Sequence, residues 1–138
     1  STQGVSSAAS DVYKRQEHGA RRILERIVEA ESGDQTIKGR QMVANVILNR
    51  MKSEKFPNSV REIVFASRQF SPVSNGSYYR VKVSARTKKA VEKALKEKDN
   101  TNGALYFMYR AGSDSSNVSW FDRELTKICE YGCHEFFR

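Results

Sequence analysis

The chain has 138 residues, 38% of them hydrophobic and 29% charged, with a net charge of +8. That suits one domain with a modest single core and excludes a disordered chain. No apolar run approaches the ~18 residues of a membrane span, and the excess of cations favours polyanionic partners: nucleic acid, anionic lipid headgroups or an anionic wall polymer.

Residues 1–16, STQGVSSAASDVYKRQ, lack the positive start and apolar core of a secretory signal. They read as a non-native-looking or disordered segment, translated adapter sequence, and are set apart from a domain at 17–138. Residues 19–31 are periodic at helical spacing. Leu24, Ile27 and Val28 form the apolar stripe, while Arg22, Glu25, Arg26 and Glu29 form the wet face. A second helix is predicted over 37–52. Its apolar residues surround almost the whole axis, which marks a central, buried helix, and Asn45 and Asn49 make its one polar stripe. Ser59, with Glu62 three residues on, predicts a capped short helix from Val60.

SRQFSPVSNGSYYRVKV reads as loop with some extended structure, turning at Asn75-Gly76. A charged helix is predicted over 84–97, capped by Ser84, with Val91, Ala94 and Leu95 facing the core and its lysines in solvent. Asn102-Gly103 is a further turn. Alternation over Leu105–Tyr109 predicts a strand. The chain closes with SWF, a helical or irregular piece and an aromatic cluster.

The two cysteines, Cys129 and Cys133, and two histidines, His18 and His134, are too few for a usual zinc cluster. CEYGC is compatible with a short-range disulfide or with two free thiols.

One carboxylate is out of place. An α-helix turns about 100° per residue, so Glu31 falls about 20° from Leu24, between Ile27 and Val28, whereas Glu29 falls about 140° away. Glu31 therefore points at the core or at a cleft cut into it. Burial and the negative end of the helix dipole both disfavour the ionised form, which is the condition for a general acid near neutral pH. The alternative is a structural pair with Arg50 or another arginine at the edge of the core.

VEAE, VANVILNR, FPNSV, QFSPV, GALYFM, SWF and CHEFF occur in this order. Together they resemble the cell wall hydrolase family of the spore cortex-lytic enzyme SleB and its relative CwlJ, over about residues 20–138. The resemblance implies a mainly helical α+β fold, lysozyme-like and similar to lytic transglycosylases, with a small β element. It implies cleavage of peptidoglycan glycan strands with Glu31 as the catalytic residue. It also implies a substrate-binding wall at Gln69, Phe70, Ser71 and Tyr106, with Trp120 and His134 near the C-terminus; core packing is the competing role for the last two. No cofactor and no metal are implied. Gln35 stands where the family often has a second acidic residue, Ser32 where alanine is common, and Tyr109 where an asparagine often follows the aromatic pair.

The function implied is a peptidoglycan glycosidase, most simply a lytic transglycosylase with one catalytic Glu, acting outside the cytoplasm on cell wall or spore cortex as a monomer. Within enzymes, a muramidase-type hydrolase or an N-acetylmuramoyl-L-alanine amidase stands against it, though two histidines make a poor metal site for an amidase. Outside enzymes, the alternatives are a non-catalytic wall-binding domain and a nucleic-acid-binding module; no recognition motif supports nucleic acid as a partner.

Overall fold

The structure is a computed structural model and describes residues 19–138. The expectation for residues 1–16, and His18, lie outside the described residues. Helix α1 occupies 19–32. It is followed by α2 (Ile37–Lys52), α3 (Val60–Val64), α4 (Ser71–Ser74), α5 (Ser77–Arg80) and α6 (Ala85–Lys96). Then come strand β1 (Tyr106–Met108), a 3-10 turn (Arg110–Gly112), α7 (Ser115–Glu124), β2 (Lys127–Tyr131) and β3 (His134–Phe137). The three strands form one antiparallel sheet in the order β1-β3-β2, with a register shift between Lys127 and Cys129.

Helix α2 is the axis of the molecule, as its all-round apolar character predicts. Val43, Ala44, Val46 and Ile47 have no exposed surface. It packs against α3, α6 and β1, and each such aliphatic side chain contributes roughly 1.5–3 kcal/mol by burial. Leu24, Ile27 and Val28 of α1, Ile63 and Val64 of α3, Val91 of α6 and Phe136 of β3 complete the main core. A smaller cluster of Met108, Phe121 and Phe137 sits between the sheet and α7.

The polar stripe of α2 has a packing role of its own. Asn45 donates to Asn100 Oδ1 at 2.8 Å, and Asn49 Nδ2 reaches Asp99, Thr101 and the carbonyl of Ala104 at 3.0–3.3 Å. These bonds hold the irregular segment 97–104 along the helix and deliver the chain to β1.

Caps formed where the sequence marks them: Ser59 accepts from Glu62 N–H and Ser84 from Thr87 N–H. Three expectations need correction. The stretch read as loop with extended structure contains two single-turn helices, α4 and α5. Pro72 fits the first turn of α4, and Asn75 accepts from Ser77 N–H beside Gly76 at φ 85°. Single turns are too short to show a helical period. Leu95 is 48% exposed; the buried face of α6 is Thr87, Ala90, Val91 and Ala94, and Leu95 lies just past its edge. The C-terminal piece is a helix followed by a β-hairpin, whose turn Gly132 makes with φ 59°. Both cysteines are free.

Because one carboxamide anchors three partners, Asn49→Ala should destabilise the fold by about 1–3 kcal/mol. Urea denaturation measures this, and a change below 0.5 kcal/mol (about the scatter of a surface substitution) would show the segment is held by other means.

Candidate active site

Glu31 and Glu29 leave the same helix end in opposite chemical conditions. The helical angle predicts the wet face for Glu29, but the side chain is partly buried and bonded. Its Oε1 accepts from Ser84 N–H and from the Thr87 hydroxyl, each at 2.8 Å. Burial pushes its pKa up, but these bonds, with Arg40 nearby, outweigh burial and hold the group below its usual value. Glu29 is thus an ionised tie to the start of α6. Gly33 is required beside it, because a Cβ there would strike the Glu29 carboxylate and its backbone carbonyl.

Glu31 has no such tie. It is partly buried, and among the described residues no cation lies within salt-bridge distance of it. Burial alone raises its pKa from 4.5 to about 7, and its place in the last turn of α1 acts in the same direction. The pairing with Arg50 does not form. Arg50 donates instead to the Leu105 carbonyl at 2.6 Å and to Gln69 Oε1 at 3.3 Å.

The backbone around Glu31 is pinned on both sides. Ser32 is fully buried and donates to the Val28 carbonyl at 2.7 Å. Arg40, also buried, donates to the Gly33 carbonyl and to the hydroxyls of Ser84 and Thr87. The loop after α1 is fastened to the hairpin: Gln35 accepts from Cys133 N–H at 3.3 Å, and the Thr36 and Tyr131 hydroxyls bond at 2.9 Å. Gln35, standing where a second acid is common in the resembled family, therefore shapes this loop.

The residues proposed for the substrate wall differ in exposure and do not form one continuous surface. Gln69, Phe70 and Tyr106 converge on Arg50, whose guanidinium lies 5.3 Å from the Phe70 ring centroid and 5.2 Å from that of Tyr106. Tyr106 meets Trp120 edge-on at 5.9 Å, and Trp120 is 39% exposed, so the pair presents aromatic surface to solvent. Ser71 is exposed at the start of α4. Phe70 and His134, by contrast, are buried. His134 packs edge-on to Phe107 and Phe136, with burial lowering its pKa against the opposing pull of Asp34. Burial raises both thiols above their usual range, which disfavours a thiolate nucleophile. Among the described residues no group of three His, Cys, Asp or Glu is placed to hold a metal ion.

Sequence reasoning missed Arg40 and the cage around Arg50, to which Phe56 contributes a third ring at 4.7 Å. The available signal was two arginines within a helix that is otherwise buried on nearly every side.

A family model described as Cell Wall Hydrolase matches residues 34–137. The chain belongs to the cell wall hydrolase family. The match begins just after Glu31. The chain is 34% identical over 106 residues to a spore cortex-lytic enzyme of Bacillus cereus, covering 77% of this chain and 40% of that one. The corresponding enzyme of Bacillus subtilis is 31% identical over 99 residues, 72% of this chain and 31% of its own. The chain thus spans well under half the length of these curated relatives. Among solved structures, the catalytic domain of the germination-specific lytic transglycosylase SleB from Bacillus anthracis superposes with a TM-score of 0.75 at 31% identity, covering 86% of this chain and 93% of that one. The catalytic domain of Bacillus cereus SleB gives a TM-score of 0.75 at 30% identity, over 88% and 91%. The mainly helical fold with its small sheet is the lysozyme-like fold of this cell wall hydrolase family.

The two glutamates make this end of α1 testable. Between about 4.5 and about 7 the folded chain keeps a proton on Glu31 that the unfolded chain has released. Stability therefore falls as pH rises through that window and stays lower above it. Glu31→Gln removes the penalty. Its stability relative to wild type should be about 2–3 kcal/mol more favourable at pH 8 than at pH 4, read from denaturant curves. A carboxyl 13C titration should place Glu31 near 7 and Glu29 below the usual carboxylate range.

Proposed function

We propose that this chain cleaves the glycan strands of peptidoglycan as a lytic transglycosylase, outside the cytoplasm, with Glu31 as its one catalytic carboxylate. The observation that carries the reading is the contrast at the end of α1: Glu29 bonded and ionised, Glu31 partly buried, uncompensated and pushed up to about 7. Groups whose environments separate their pKa values in this way are suited to acid–base work at neutral pH. The lytic relatives and the basic surface, which suits a wall polymer carrying carboxylates and phosphates, support the same substrate class.

The chemistry follows from a single carboxyl group. Protonated Glu31 gives its proton to the glycosidic oxygen between muramic acid and glucosamine as the bond to the anomeric carbon breaks. The resulting carboxylate takes the proton of the muramic 6-hydroxyl, whose oxygen bonds the same anomeric carbon. A 1,6-anhydro ring forms, no water is consumed and Glu31 ends protonated. A hydrolase would instead set a second carboxylate across the bond, at roughly 5–9.5 Å. The candidates nearest in sequence do not suit that role. Asp34 is exposed and accepts from Gln35, while Glu54 and Glu62 are exposed beyond α2. The exposed edge of Trp120 with Tyr106 offers a sugar ring an apolar face to stack on.

Purified peptidoglycan should lose turbidity with the wild-type chain, and Glu31→Gln should reduce the rate by at least ~100-fold, the scale of one general acid. The wild-type kcat/KM should fall above about pH 7, where Glu31 loses its proton. Muropeptides should carry anhydro ends about 18 Da lighter than reducing ends, one water not added. Only reducing muramic ends would establish hydrolysis. Loss of activity in EDTA restored by zinc would establish an amidase. Binding without clearing would leave a wall-binding domain.

A further inference from the structure

A concave surface lies between the start of α2 and the face of α6 that carries Lys89 and Lys93, extending to Asn100. It is an open groove of about 440 Å³, and Glu31 does not line it. Four lysines do: Lys38, Lys89, Lys93 and Lys98. Lys93 is paired with Glu97, the one acid in the lining, at 3.3 Å. Among the described residues, Lys38, Lys89 and Lys98 have no carboxylate within salt-bridge distance. The lining sets four ammonium groups against one carboxylate; the excess like charges repel one another, and an anion seated among them relieves that repulsion.

Neutral donors accompany the ammonium groups. Gln41 is 4% exposed, and its Nε2 makes only a long 3.4 Å bond to Glu97. Asn100 uses its carbonyl to accept from Asn45, which leaves its amide N–H groups for the groove. Lys38 is steadied over the Tyr131 ring, 5.0 Å from its centroid. Among the described residues no aromatic ring lines the groove, so they offer it no surface on which nucleic-acid bases stack.

We propose that this groove binds a base-free phosphodiester polymer, such as a polyol phosphate chain of a bacterial wall. Lys38, Lys89 and Lys98 neutralise successive phosphates, and the carboxamides of Gln41 and Asn100 donate to their oxygens. The groove holds the protein on an anionic polymer independently of any cutting at Glu31, so the proposal does not rest on the catalytic reading.

The test uses the full chain and poly(glycerol phosphate), with affinity measured across a salt series. Lys38→Gln, Lys89→Gln and Lys98→Gln combined should weaken binding at least tenfold at about 0.1 M salt. The slope of log K against log salt should become shallower by about 2, because each neutralised phosphate on a single strand contributes about 0.7. Lys89→Gln with Lys98→Gln, which keeps the Lys38–Tyr131 contact, should remove about two-thirds of that change. Lys52→Gln, Lys55→Gln and Lys82→Gln combined remove the same charge from exposed positions outside the groove, and should alter affinity less than threefold. Equal loss in both triple variants, or no loss in the first, overturns the site. Polyglutamate bound as tightly as the phosphate polymer overturns the phosphate assignment. Single-stranded DNA bound more tightly, and lost in the groove variant, reassigns the surface to nucleic acid and overturns it too.

Discussion

The end of α1 depends on one polar knot. Arg40, on the first turn of the central helix, reaches the Gly33 carbonyl and the hydroxyls of Ser84 and Thr87, while Glu29 accepts from the same two residues at the cap and first turn of α6. Three helices are fixed at one point by mostly part-buried charge-assisted bonds, which are stronger than neutral ones and costly to lose. Arg40 Nε is buried without a partner among the described residues, so among them even this knot is not fully satisfied. Because Glu29, Ser32 and Gly33 are all committed, Glu31 is held in place by its neighbours and needs no bond of its own. That is how a carboxylate can stay in a partly buried position without a cation: the backbone fixes it, and its raised pKa relieves the charge.

A second organising centre lies at the far end of α2. Arg50 is 5% exposed and has no carboxylate partner among the described residues; the Leu105 carbonyl and the rings of Phe56, Phe70 and Tyr106 surround it. Burial lowers its pKa to about 10, so the guanidinium remains charged at neutral pH. A weakly hydrated planar cation among aromatic faces draws the 56, 70 and 106 segments together without requiring an acid in the wall. The two centres thus use arginine differently: Arg40 locks backbone and hydroxyls, and Arg50 gathers rings.

The hairpin joins these ends. Its turn is tied to the loop after α1 through Gln35 and Thr36, and β3 carries Phe136 into the main core and Phe137 into the smaller one. Arg110 on the 3-10 turn binds Asp122 of α7 and Glu135 of β3, closing the outer face of the sheet. A small β element of this kind stabilises little by itself; here it fastens the loop after α1 to the core.

Much of this was legible in the residues. The buried character of α2, the Ser59 and Ser84 caps, the Asn102-Gly103 turn and the direction of Glu31 follow from helical period and local hydrogen-bonding chemistry, which act within a few residues. Single-turn α4 and α5 were not legible, since one turn shows no period, and the C-terminal hairpin was hidden in a short aromatic run. Glu29 is the clearest case of what only the tertiary structure decided. Its angle put it in solvent, yet residues 55 and 58 positions away come to meet it. The same holds for Arg50: the alternative pairing with Glu31 does not form, and a carbonyl and three rings from distant segments surround the guanidinium instead. Sequence determined which way each side chain leaves its helix. What meets it there depends on long-range packing, which no local pattern encodes, and that packing separated two glutamates of one helix turn into an ionised tie and a carboxyl whose pKa burial raises to about 7.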